Sequence, residues 1–182
     1  MRFNPNKVTT LSRVLVLVFA LAGLDPAAAA RDLASEQSVL AAMVFNFLKF
    51  ADFPPETLVT PSPNLLLCIA VRDEKLREAL SALTGRKVGG KELMVADLAP
   101  RGGECDVFYV DSRPRWREAM DHPALQRALT IGAYSGFVRD NGMIEIDVRR
   151  DGVRFDINLT ESRRAGVRFA PQLLRLARQV HE

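Results

Sequence analysis

Few side chains in this chain could make or break a covalent bond. It holds two cysteines, Cys68 and Cys105, and two histidines, His122 and His181. There is no Cys-x-x-Cys redox pair and no Cys/His cluster at metal-ligand spacing, so the sequence calls for no metal and no cofactor. His122 precedes Pro123 in a polar connection and His181 is the penultimate residue, neither placed to serve as a positioned base. Ser135, in Tyr-Ser-Gly-Phe, lacks the upstream glycine of a nucleophile elbow. Gly85–Lys91 (GRKVGGK) fits the first seven positions of a phosphate-binding loop. Glu92 then stands where Ser or Thr would hold magnesium, and the loop follows a helical pattern instead of opening one. It reads as a turn. Glu145 with Asp147, or Asp140 with Asp151, could act as acid and base, but carboxylates that alternate along a strand or sit in turns are normally solvated. No catalytic residue is assigned.

The remaining candidates are suited to binding. Phe45 and Phe50 widen the apolar surface of an N-terminal helix beyond one stripe, as in a helix that is deeply buried or also meets a partner. Asn46, between two phenylalanines, either satisfies buried backbone or fixes the register of a dimer or partner. Arginines at 163, 164, 168, 175 and 178 could hold an anion, or could form a solvated helix face complementing C-terminal dipoles. Phe45, Asn46, Phe50, Asn158, Arg164 and Arg175 make up the candidate partner or dimer surface.

These groups need a scaffold, and the periodicities supply one. Ser35 can cap a helix whose Leu40, Met43, Val44, Phe47 and Leu48 recur at helical spacing, stopping near Asp52 before Pro54-Pro55. The pattern then predicts a strand over 65–71, a helix over 73–83, a strand over 92–98 and another over 106–110. A helix from Pro114 to Met120, continued beyond Pro123 to Ala128, precedes a strand over 129–134. Residues 143–149 and 153–159 alternate around Asp151-Gly152, a hairpin signal. Asn158 and Glu161 have capping-box spacing, for a helix that Gly166 ends. Pro171 opens a last helix with Leu173, Leu174, Leu176, Ala177 and Val180 facing inward. Strands alternating with helices, then a hairpin, predict an α/β three-layer sandwich: a mostly parallel sheet with a C-terminal antiparallel hairpin edge.

The first thirty residues assign the compartment. Arg2, Lys7 and Arg13 precede eleven uncharged residues, Val14–Leu24, and Ala28 and Ala30 supply a small-residue cleavage site, the layout of a secretory signal peptide. The run is short of the roughly 20 residues that span a bilayer. We therefore expect residues 1–30 to be a signal peptide and 31–182 to be one exported domain. Without the leader, 22 basic side chains face 21 acidic ones in 152 residues. A near-neutral chain lacks the basic face of a nucleic-acid binder, and its length suits a single core. In an oxidising compartment Cys68 and Cys105, each in an apolar run, would pair if those runs are neighbouring strands. The alternative is two buried thiols.

Two blocks carry a resemblance. Ala41–Pro54 (AAMVFNFLKFADFP) and Val153–Ala177 (VRFDINLTESRRAGVRFAPQLLRLA), the latter preceded by Asn141–Ile146 (NGMIEI), resemble the YfiR-like family of bacterial periplasmic proteins. The C-terminal block is the more specific, with Gly142, Met143 and Ile144, then Arg154 and Asn158, then Leu173, Leu174 and Leu176. Phe53 stands where tryptophan often precedes the proline, and Ala170-Pro171 replaces a usual serine pair. The resemblance implies a periplasmic repressor, without enzymatic activity, that binds the periplasmic sensor domain of an inner-membrane diguanylate cyclase and so lowers cyclic di-GMP and biofilm formation. A second reading from the residues is a small-ligand-binding or transporter-associated module, using the crevice at the strand ends. A third, a hydrolase, would need a pocket holding a carboxylate pair of perturbed pKa.

Overall fold

A computed structural model describes residues 35–53, 63–98, 105–149 and 151–182. The leader read over residues 1–30 lies outside them. Helix α1 (Glu36–Phe50) begins where the Ser35 hydroxyl accepts the Ser38 N–H at 3.2 Å, with Glu36 in its first turn. β1 (Ala51–Asp52) follows, then β2 (Asn64–Ala70) and α2 (Glu74–Ser81), whose cap Asp73 accepts from the Lys75 and Leu76 amides. β3 (Lys87–Val88) and β4 (Lys91–Asp97) form a hairpin through Gly89 and Gly90, both at positive φ, which settles GRKVGGK as a turn. β5 (Val107–Val110), α3 (Arg113–Ala119), a 3-10 turn (Pro123–Leu125) and β6 (Leu129–Gly132) come next. A second 3-10 turn (Val138–Asp140) leads to β7 (Ile144–Arg149), β8 (Gly152–Asn158), α4 (Leu159–Ala165), β9 (Arg168–Phe169), α5 (Pro171–Leu176) and β10 (Gln179–His181).

Eight strands form one sheet in the order β10-β8-β7-β6-β5-β2-β4-β3, and β1 pairs separately with β9. β4, β2, β5, β6 and β7 run parallel, while β7 and β8 form the expected antiparallel hairpin. β5 and β6 are buried along their whole length, as parallel strands covered on both faces must be. Alternation sends Leu65, Leu67 and Ile69 of β2 into one core with Val44, Phe47 and Leu48 of α1 and Leu80 of α2. Cys68, Phe108 and Val110 enter a second core with Trp116 and Ala119 of α3 and Phe137. The sheet thus has apolar packing on both faces, as the three-layer α/β sandwich requires. Phe137 is fully buried against Gly132 and Gly142, where an added Cβ would lie 2.4 and 2.2 Å from its ring.

Three expectations need correction. The helical pattern continued beyond Pro123 closes only one 3-10 turn, and β6 stops at Gly132. The last helix ends at Leu176, because Ala177 is extended (φ −64°, ψ 140°) and the Arg178 amide donates to the Phe155 carbonyl. Residues 179–181 then add to β8 as a parallel strand, with Val180 opposite Ile157. Leu173 is buried as expected, whereas Leu176 is 70% exposed.

Candidate partner-binding surface

β2 and β5 are hydrogen-bonded neighbours, with Cys68 opposite Phe108, and Cys105 lies just before β5. The two are joined by a disulfide with Cα atoms 5.8 Å apart, and both residues are buried in the second core. Next to it, Asp106 accepts the Leu66 amide at 2.8 Å.

The six candidate surface residues fall in different places. Phe45 is buried, its ring covered by the Arg86 guanidinium at 3.7 Å from the centroid. Asn46 is exposed, so it satisfies no buried backbone, and Phe50, one turn further along α1, is 36% exposed. Asn158 caps α4: its Oδ1 accepts the Glu161 amide at 3.1 Å and its Nδ2 donates to the Val138 carbonyl at 3.2 Å. That is the capping role its spacing predicts. Arg164 is exposed and grips Glu161 through both carboxylate oxygens at 2.8 and 3.0 Å, and Arg175 is exposed on α5.

The helices that carry Asn46, Phe50 and Arg175 meet: α1 joins α5 near its start. The β1–β9 pair ties the end of α1 to the start of α5, with Ala51 opposite Phe169 and Asp52 opposite Arg168. The Ala170 amide donates to the Phe50 carbonyl at 2.9 Å, and α5 packs against α1. Leu176, which helical spacing assigned to the core, closes α5 as the most exposed large apolar side chain of the described residues. Arg168 pairs with Asp52 at 2.9 Å across the same join. Phe50 is thus exposed at the join of α1 with the start of α5, Asn46 is exposed one turn before it on α1, and Arg175 and Leu176 are exposed at the far end of α5. Sequence reasoning missed Leu176 and Arg86, because neither exposure nor long-range stacking leaves a periodic trace.

The other arginines are engaged. Arg178 donates to both oxygens of buried Asp156 at 2.9 and 2.6 Å and to Asp147 at 2.8 Å. Burial pushes the Asp147 carboxyl up, but hydrogen bonds from Arg149 and Arg178 outweigh it, so the group titrates below the ordinary range. Burial raises the Tyr109 phenol, with Asp111 and Glu36 adding to the effect. Of the carboxylate pairs considered for chemistry, Glu145 is buried and accepts the Val138 amide at 3.2 Å, a bond that holds the turn before β7. Among the described residues no group of three His, Cys, Asp or Glu side chains could hold a metal ion, and no helix is long and apolar enough to cross a membrane.

Comparison with known proteins adds the family. No curated protein matches the chain. A crystal structure of a conserved domain protein from Vibrio cholerae aligns over 80% of this chain at 12% identity, with a TM-score of 0.47. The chain spans 60% of the length of that protein. A profile of the YfiR/HmsC-like family matches residues 37–178, which runs from the first turn of α1 to the arginine that precedes β10. The chain belongs to the YfiR/HmsC-like family.

Proposed function

We propose that the protein is a periplasmic regulator that binds the periplasmic sensor domain of an inner-membrane diguanylate cyclase and holds the cyclase inactive, lowering cyclic di-GMP and biofilm formation. The observation that carries this reading is the family match over residues 37–178. A disulfide in the buried core suits an oxidising compartment. A binding protein can repress only if it prefers the inactive state of its target, and each tenfold of preference is about 1.4 kcal/mol of coupling. The surface assigned to that contact runs from the end of α1 along α5, with Phe50 and Leu176 as anchors and Asn46, Arg168 and Arg175 as its polar members. Aromatic and aliphatic anchors with an arginine rim are what concentrate binding energy at protein interfaces. The same patch would serve a homodimer, as a self-complementary contact.

Deletion of the gene in its own host, with cyclic di-GMP measured by mass spectrometry, tests the reading. The expected result is a rise on deletion and a return to the starting value with the wild-type copy. A Phe50→Asp, Leu176→Asp double variant, folded by circular dichroism, is expected not to restore it. No rise on deletion refutes the regulatory role. Full restoration by the double variant refutes the surface.

A further inference from the structure

A crevice of about 260 Å³ lies at the carboxyl ends of β2 and β4, lined also by α2 and α3. β2 leads through α2 to β4 on one side and β5 leads through α3 to β6 on the other, so the connections diverge between β2 and β5, beside this crevice. Open α/β sheets form ligand crevices at such points, because the connections leave the strand ends in opposite directions. Ile69, Ala70, Leu98 and Ala119 give the crevice apolar walls, and Arg77, Asp97, Arg115, Glu118 and His122 line it with charge and polarity.

The acceptors and donors in it are unequally engaged. Arg77 donates to the Val71 carbonyl at 2.9 Å and pairs with Asp97 and with Glu74, so Arg77 and Asp97 neutralise each other. Arg115 is different. Among the described residues its carboxylate neighbour is Glu118, at 4.0 Å and 67% exposed, and its Nε is shielded from water without a hydrogen-bond partner. The Arg115 side chain is 38% exposed, but its shielded Nε–H and weakly compensated charge call for an acceptor. His122 adds a second donor. Its Nδ1 accepts the Ala124 amide at 3.2 Å, which leaves the proton of the neutral ring on Nε2.

We propose that this crevice binds a small organic acid: a carboxylate held by the Arg115 guanidinium and the His122 Nε2–H, with a short hydrocarbon chain against Ala70, Leu98 and Ala119. The planar guanidinium fork matches a carboxylate in two parallel hydrogen bonds, and the apolar walls admit a chain of a few carbons. The inference does not depend on the partner reading, because the crevice involves none of the α1 and α5 surface residues.

Butyrate is the probe, with butan-1-ol and butylamine as controls of the same shape. Titration into the ¹⁵N-labelled exported chain, followed by amide chemical shifts, is expected to move Ala119, His122 and Leu98 with butyrate alone. Arg115→Met is expected to weaken binding about tenfold or more, the loss of a charge-assisted bidentate contact. Glu118→Gln, at an exposed position that leaves the fold intact, is expected to tighten it about threefold by removing a like charge. Those two variants move in opposite directions, which a merely structural role for Arg115 would not produce. Shifts confined to other surfaces, equal shifts with butanol, or unchanged affinity in both variants would overturn the assignment.

Discussion

Breaking the Cys68–Cys105 disulfide should lower stability without altering the native fold. β2 and β5 already share a parallel ladder, with Leu67 opposite Val107 and Ala70 opposite Val110, so Cys68 is held within the ladder and Cys105 stands two residues before it. What the crosslink removes is freedom in the unfolded chain. For a sequence separation of 37 residues the chain-entropy relation gives about 4 kcal/mol. For a domain of this size that corresponds to a fall of roughly 8–16 °C in Tm. Reduced thiols at two buried positions behave as small apolar groups, so the second core keeps its packing. The comparison is urea unfolding of oxidised protein against protein reduced while denatured and refolded under reductant. The reduced form should lose about 4 kcal/mol and show a steeper denaturant dependence, since its unfolded chain exposes more surface. A Cys68→Ala, Cys105→Ala variant should match it more closely than the serine pair, whose buried hydroxyls would need partners. A difference below about 1 kcal/mol with unchanged slope would refute the entropic account.

Other substitutions test the packing and the charges. Gly142→Ala places a methyl group 2.2 Å from the fully buried Phe137 ring and should cost about 2–3 kcal/mol, read as a lower denaturation midpoint; a cost below about 0.5 kcal/mol would mean the ring has room to move. Asn158→Ala removes the α4 cap and leaves the Val138 carbonyl without that donor, a loss of about 1–2 kcal/mol by the same measurement. Arg178→Met strands Asp156, which is 4% exposed, and should destabilise by about 2 kcal/mol near neutral pH. It should also flatten the acid limb of stability. Because the native Asp147 carboxyl titrates below its unfolded value, its contribution is present above the ordinary carboxylate range and is lost as pH falls through the lower native value. Without Arg178 part of that loss disappears, and identical acid limbs in the two proteins would contradict the pairing.

Much of this fold can be read from local chemistry. Ser35, Asp73 and Asn158 each cap the helix that follows, because their side chains reach the first free amides whatever the rest of the fold does. The β7–β8 hairpin follows from alternation and a turn signal, but the turn read at Asp151-Gly152 falls one residue earlier, because Gly152, at φ 137°, already pairs with Arg149. The C-terminal residues defeat the same reasoning. Leu173, Leu174, Leu176 and Val180 have helical spacing, yet β8 offers an open edge and Asp156 offers Arg178 a bidentate partner, and both lie at least 20 residues upstream. Pairing with them outweighs a short helix of modest intrinsic stability. The candidate surface divides in the same way. Asn46 and Phe50 are exposed one turn apart on α1, but Phe45 is sealed by Arg86, a contact made across 41 positions.

Trp116 is the single tryptophan of the chain, and it stands in the layer that also holds the disulfide. Its indole meets Phe137 edge-on with centroids 5.0 Å apart and donates its N–H to the Asp140 carbonyl at 2.9 Å. Emission excited selectively from this tryptophan therefore reports on one side of the sheet alone, since the first core, with α1 and α2, holds Tyr109 but no tryptophan. Fluorescence set against far-ultraviolet dichroism becomes a built-in comparison of the two layers. Coincident melting curves would mean that the halves of the sandwich give way together, and an offset would show which one yields first.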